Sequence, residues 1–165
     1  MGPFTLAAAQ NRTYTIEDLL KVRRVADPQV SPDGKHVAFT VGDVNFDANR
    51  VVNQIYVMSI EGGSMKQLTT RDRSSSAPRW SPDGKKIAYT TGSQVWVMES
   101  DGDNKEQVTK ISTGAAAPVW SPDGKWIAFT SDVYPDCDNH DCNKKGDEQA
   151  EASKVKAHIV TRLLY

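Results

Sequence analysis

The chain has 165 residues, 38% of them hydrophobic and 25% charged, with a formal net charge of -1. That length holds one domain with a buried core, and the balance of 20 basic against 21 acidic residues excludes an electrostatic case for nucleic acid or an anionic membrane surface. No apolar run approaches the ~18 residues of a spanning helix, so no membrane-spanning segment is expected.

Residues 1–12 form a leader. Ala7-Ala8-Ala9 resembles the small-residue end of a secretory signal, although the charged and long apolar parts of such a signal are missing. The leader is therefore either a signal remnant or an Ala-rich stretch without meaning, and the fold begins at residue 13. Asn11-Arg12-Thr13 matches a glycosylation sequon, which matters only in a glycosylating source. A short helix is predicted over Ile16–Val22. Thr15 supplies its N-cap, Glu17 and Asp18 suit the positive end of its dipole, and Pro28 marks its latest end.

The chain then repeats itself. Val30-Ser31-Pro32-Asp33-Gly34-Lys35-His36-Val37-Ala38-Phe39-Thr40 returns as Trp80–Thr90 and again as Trp120–Thr130. A second block, Ile55-Tyr56-Val57-Met58, returns as Val95-Trp96-Val97-Met98, and a third, Gln67-Leu68-Thr69, as Gln107-Val108-Thr109. In each Ser-Pro-Asp-Gly turn, Pro presets φ, Asp bonds back to the backbone and Gly accepts a positive φ. Asp33, Asp83 and Asp123 are therefore structural. The turn joins a strand ending near Ser31 to one at Val37–Thr40, followed by strands at Ile55–Ser59 and Lys66–Thr69. Strands are likewise expected at Ile87–Thr90, Val95–Met98 and Ile127–Thr130. Four antiparallel strands in ~40–50 residues is the arithmetic of a propeller blade, and strands apolar on both faces suit blades packed between neighbours. The blades fall at about 28–70, 77–110 and 117–165, the last incomplete. A partial ring implies that this chain is a piece of a longer protein, or that its missing blades are supplied elsewhere.

The turns are spaced 50 and then 40 residues apart, and the surplus sits around Gly42–Asn53, as a loop between the second and third strands of the first blade. The same loop swells again at Asp132–Lys156, before His158–Leu164 resumes a strand-like pattern. Both insertions belong to one loop class and are expected at the same mouth of the propeller. The second contains Cys137-Asp138-Asn139-His140-Asp141-Cys142. Three readings compete: a Cys137–Cys142 disulfide, a metal site on Cys137, His140 and Cys142 with Asp136 or Asp138, and two free thiols in a polar loop. The disulfide is preferred, and no metal or other cofactor is assigned. Packing cannot order so polar a loop, and the run Lys144–Glu151 is expected to be solvated. His36 occupies a variable exposed strand position and His158 a strand-like run, neither with a catalytic context.

The Ser-Pro-Asp-Gly-Lys-x-Ile-Ala-(Phe/Tyr)-Thr repeats resemble the TolB-like and WD40-like propeller repeats found in TolB and in the prolyl oligopeptidase family of serine peptidases. The opening helix running into the first blade, Tyr14–Val30, is similar to the start of bacterial dipeptidyl-peptidases and acylaminoacyl-peptidases, and 154–165 is similar to their third-blade region. The resemblance covers residues 14–165. It implies an all-β, incomplete propeller with a short N-terminal helix, serving as the N-terminal part of a peptidase. There the propeller caps an α/β-hydrolase domain with a Ser-Asp-His triad and limits access to peptides. None of the triad can be placed on this chain, which has no Gly-x-Ser-x-Gly elbow; Gly63-Ser64-Met65 is a blade turn. The alternative is a non-enzymatic TolB-like scaffold at the cell envelope. Either reading implies a periplasmic or secreted bacterial protein.

Overall fold

A computed structural model describes residues 13–70 and 72–153. The leader at 1–12, the sequon residue Asn11, His158 and the strand-like run 158–164 lie outside the described residues.

After a short helix α1 (Ile16–Leu20), the first sheet holds β1 (Arg24–Val30), β2 (His36–Asn45), β3 (Arg50–Ser59) and β4 (Lys66–Gln67) in sequential antiparallel order. The second sheet repeats that order with β5 (Ser75–Trp80), β6 (Lys86–Thr91), β7 (Gln94–Glu99) and β8 (Glu106–Gln107). β9 (Ala116–Trp120) and β10 (Ile127–Thr130) pair as a third sheet, followed by helix α2 (His140–Ala152). The sheets stack side by side without closing a ring, as an incomplete propeller must.

Side-chain alternation explains the stacking. Ala38, Ile55 and Leu68 on one face of the first sheet pack against Ile87, Tyr89 and Met98 of the second. The opposite face of the first sheet carries Phe39, Val41 and Tyr56. Ile87 and Ala88 are neighbours in one strand, and both are fully buried on opposite faces. A blade between two others needs that double-sided apolarity. In the third sheet, where two strands are described, Phe129 is 40% exposed, against 2% for the register-equivalent Tyr89.

Each Ser-Pro-Asp-Gly turn closes by the same local bonds. The Ser31 hydroxyl donates to Asp33, Asp33 also accepts from the Lys35 N–H, and the Ser31 hydroxyl oxygen accepts from the His36 N–H. Gly34, Gly84 and Gly124 hold φ of 69°, 71° and 69°, where a side chain would be strained. α1 begins as expected, with a capping box between Thr15 and Asp18, and ends at Leu20, two residues before the predicted Val22.

Three expectations need correction. The Gly42–Asn53 surplus is not a loop: β2 and β3 run on as a paired ribbon to Asn45↔Arg50, leaving a tip of residues 46–49. Val44, Val51 and Val52 supply the β-branched residues that make this extension strand. The insertion at Asp132–Lys156 contains α2 rather than only an unordered loop, so Lys144–Glu151 is helical while most of its residues are exposed as expected. Polar bonds order it in place of apolar packing: the Asn139 side chain caps the helix by accepting from the Cys142 N–H, and Asn143 accepts from the Tyr134 N–H. The fourth strand stops at Gln67 instead of Thr69, because Thr69 replaces the ladder with its side chain. Its hydroxyl accepts from the Ile55 N–H and donates to Gln54.

Candidate functional site

A blade built from sequential antiparallel strands presents its turns at two ends. The Ser-Pro-Asp-Gly turns lie at one end. At the other lie the β2–β3 tip, the Gly92-Ser93 turn and the connections that cross from one blade to the next. Side chains fix those connections. Gln54 donates to the Arg73 carbonyl and Gln94 to the Ile111 carbonyl, while their side-chain carbonyls accept from Thr69 and Thr109. Gln54 is 1% exposed, a buried amide whose side-chain bonds serve the crossing.

These connections frame an open cleft of 710 Å³ at the mouth, reached by Arg50 from the ribbon, Arg73 from the first crossing and Asp132 from the start of the second insertion. Both insertions therefore border the same mouth. Thr91 donates to the Ser74 carbonyl, Ser131 to the Gly114 carbonyl and Thr130 to the Ala116 carbonyl, so these wall hydroxyls hold backbone. The guanidinium groups of Arg50 and Arg73 make no ion pair or hydrogen bond among the described residues. Gly92, at φ 57°, leaves room for Arg73: a Cβ there would lie 3.1 Å from its Nη1. The arrangement suits a polar chain with free carboxylate or carbonyl groups. Among the described residues no histidine lines the cleft, and its carboxylates are those of Asp72 and Asp132.

The serine, histidines and cysteines weighed in the sequence fall elsewhere. Ser64 is exposed in the β3–β4 turn, at the end opposite the mouth. His36 is exposed beside the first Ser-Pro-Asp-Gly turn and His140 is exposed at the start of α2; neither imidazole hydrogen-bonds a serine hydroxyl. Cys137 and Cys142 are joined by a disulfide with Cα atoms 5.4 Å apart. With both sulfurs so engaged neither is a thiolate ligand, and no group of three metal-ligating side chains occurs among the described residues. Around that bridge, the Tyr134 hydroxyl donates to Asp147 and its ring lies over Gly146.

Several residues that shape the site escaped the sequence reading. The innermost strands each carry a bulge at Asp27-Pro28, Ala77-Pro78 and Ala117-Pro118, where the residue before Pro holds φ near 50°. The signal was present: Pro recurs three positions before the Ser of each Ser-Pro-Asp-Gly. Gln54 and Gln94 also recur one position before the repeated Ile55/Val95.

Comparison with known proteins places this geometry. The family described as TolB beta propeller domain matches residues 11–150. Dipeptidyl-peptidase 5 of Porphyromonas endodontalis is 33% identical over 90 residues, 54% of this chain and 13% of that protein's length. Among solved structures, TolB from Agrobacterium tumefaciens superposes with a TM-score of 0.52 and 32% identity, covering 67% of this chain and 39% of that one. An acylaminoacyl peptidase from Pyrococcus horikoshii superposes with a TM-score of 0.57 and 25% identity, covering 72% and 20%. Among the described residues no helix is long and apolar enough to cross a membrane.

Proposed function

The chain belongs to the TolB beta propeller domain family, and on that premise we propose that it is the N-terminal propeller portion of a serine exopeptidase of the prolyl oligopeptidase type. The observation that carries this reading is the 90-residue similarity to a dipeptidyl-peptidase of which the chain spans 13%. A relative that much larger has room for the α/β-hydrolase domain whose elbow this sequence lacks. In this reading the third blade runs on through residue 165 and further blades close the ring. The hydrolase domain supplies the serine, histidine and aspartate, and peptides are cleaved by acyl transfer.

The propeller's part is selection. Its mouth admits short, flexible chains and rejects folded ones. Arg50 and Arg73 offer charge-assisted hydrogen bonds to peptide carboxylates and carbonyls at the entrance. The Cys137–Cys142 bridge suits a periplasmic or secreted location, where disulfides persist. The competing reading is a TolB-like interaction scaffold, favoured by the 32% identity to the Agrobacterium TolB structure.

One experiment separates them. The protein encoded by the complete gene is treated with a fluorophosphonate that labels activated serines. Labelling at a Gly-x-Ser-x-Gly serine downstream of residue 165, with hydrolysis of aminoacyl or dipeptidyl chromogenic substrates, supports the peptidase. A protein that ends after further blades and takes no label supports the scaffold.

A further inference from the structure

Between the first and second sheets, next to the mouth, lies a second cleft of 320 Å³. Its inner wall is made by Tyr89, Trp96 and Ser75, and its rim by Arg73, Lys105 and Asp72. Two of the wall residues are almost wholly buried, Tyr89 at 2% exposed and Ser75 at 3%. Neither hydroxyl makes a hydrogen bond among the described residues, and neither does the Trp96 indole N–H. None of the three is a buried atom without a partner, so each polar atom stays accessible although the residue around it is largely enclosed. The tryptophans of the innermost strands are bonded instead, Trp80 to the Gln29 carbonyl and Trp120 to the Arg79 carbonyl.

The repeat identifies Tyr89 as more than packing. Phe39 and Phe129 hold the same position in the neighbouring blades, so the fold needs an aromatic ring there and not a hydroxyl. Burial pushes the phenol up to about 12, so at neutral pH it stays protonated and able to donate. Tyr89, Ser75, Trp96, Arg73 and Lys105 together form a donor-rich set that includes both aromatic rings of the cleft, and among the described residues Asp72 is the single anion on the rim. Lys105 also donates to the Gly102 carbonyl, leaving it further protons to give.

We propose that this inter-blade cleft binds a small zwitterion of amino-acid to dipeptide size, its carboxylate held by Arg73, Lys105 and the Tyr89 hydroxyl, its ammonium by Asp72, and its side chain against Trp96. The assignment stands on this cleft alone and does not depend on the peptidase reading.

The dipeptide Ala-Phe is the probe, titrated into the full chain while the Trp96 indole N–H signal is followed by NMR and the heat by calorimetry. Saturable binding is expected below about 10 mM. Arg73→Gln is expected to weaken it about tenfold and Tyr89→Phe about fivefold, as for loss of hydrogen bonds to a charged group. The C-terminal amide of the same dipeptide is expected to bind at least about tenfold more weakly. Tyr89→Phe copies the residue of the sister blades and so retains the packing; Ser75→Ala is a second variant with the same expected direction. No saturable shift at Trp96, equal binding of the amide, or wild-type affinity in either Arg73→Gln or Tyr89→Phe overturns the proposal.

Discussion

The Trp80 indole N–H donates to the Gln29 carbonyl at 3.0 Å, joining the innermost strands of the first two blades. Trp120 repeats the contact on the Arg79 carbonyl at 3.1 Å. Arg79 reaches back across the same seam to Asp27, which also accepts from Gln29. The seam is thus held by polar bonds at the centre and apolar packing outside it. Replacing Trp80 with Phe keeps a ring and strands the carbonyl, at an expected cost of about 1–2 kcal/mol. Asp27→Ala, copying the residue of the other two bulges, removes a partly exposed ion pair and the bond from Gln29, and is expected to cost less than about 1 kcal/mol. Urea midpoints of the two variants give the ordering; an equal loss in both would show that the indole bond is not the stronger tie.

The three Ser-Pro-Asp-Gly aspartates confer acid sensitivity. Hydrogen bonds from the Ser31, Ser81 and Ser121 hydroxyls, then from the backbone N–H of Lys35, Lys85 and Lys125, hold Asp33, Asp83 and Asp123 below their ordinary 3.8. A carboxyl lowered in the folded state contributes stability that is complete above 3.8 and is lost as pH falls through the folded value. Melting temperature is therefore expected to fall below that point. Asn at all three positions should flatten the drop, and an unchanged acid limb in that variant would assign the sensitivity to other carboxylates.

Tyr89 gives the opposite, alkaline dependence. Burial favours its neutral form and lifts the phenol from 10.0 to about 12. A raised acid contributes stability that is complete below 10 and is lost as pH climbs toward 12. Tyr89→Phe is expected to remove part of the alkaline loss of stability between those values. Phenolate absorbance gives the direct check, because Tyr89 is expected to ionise above the ordinary 10.0.

Gly146 is needed for space. A Cβ at this position would lie 2.6 Å from the Tyr134 ring. Alanine in a helix interior normally stabilises by about 1 kcal/mol over glycine. Here Gly146→Ala alone is expected to displace Tyr134 and speed amide exchange in α2. In the Tyr134→Ala background the same change is expected to slow exchange, and the double-mutant cycle reads the coupling.

The Cys137–Cys142 bridge closes a small ring, which removes limited chain entropy, about 2 kcal/mol at most. Its reduction is expected to fray the start of α2 and leave blade amides unchanged. Thiol titration of denatured, unreduced protein from an oxidising compartment is expected to find no free thiol; two would rule the bridge out.

The parts of this structure written in the sequence are those whose partners lie a few residues apart. The Ser31–Asp33–His36 turn closes within six residues, so its residue types state its geometry three times over. The Thr15–Asp18 capping box is equally local. Alternation of apolar residues on both strand faces likewise implied stacked blades before any coordinate. Local pattern was weaker where length had to be divided between loop and strand, as in the ribbon ending at Asn45↔Arg50. It failed for α2, where Gly146 and the polar run conceal a helix that Asn139 caps and Tyr134 packs against. Tertiary structure alone decided the seam and both clefts. Trp80 and Gln29 stand 51 residues apart, and Arg79 and Asp27 52. Which carbonyl an indole meets, and whether a hydroxyl such as that of Tyr89 is left without a partner, depends on how two separately closed sheets settle against each other, and no spacing along one chain encodes that distance.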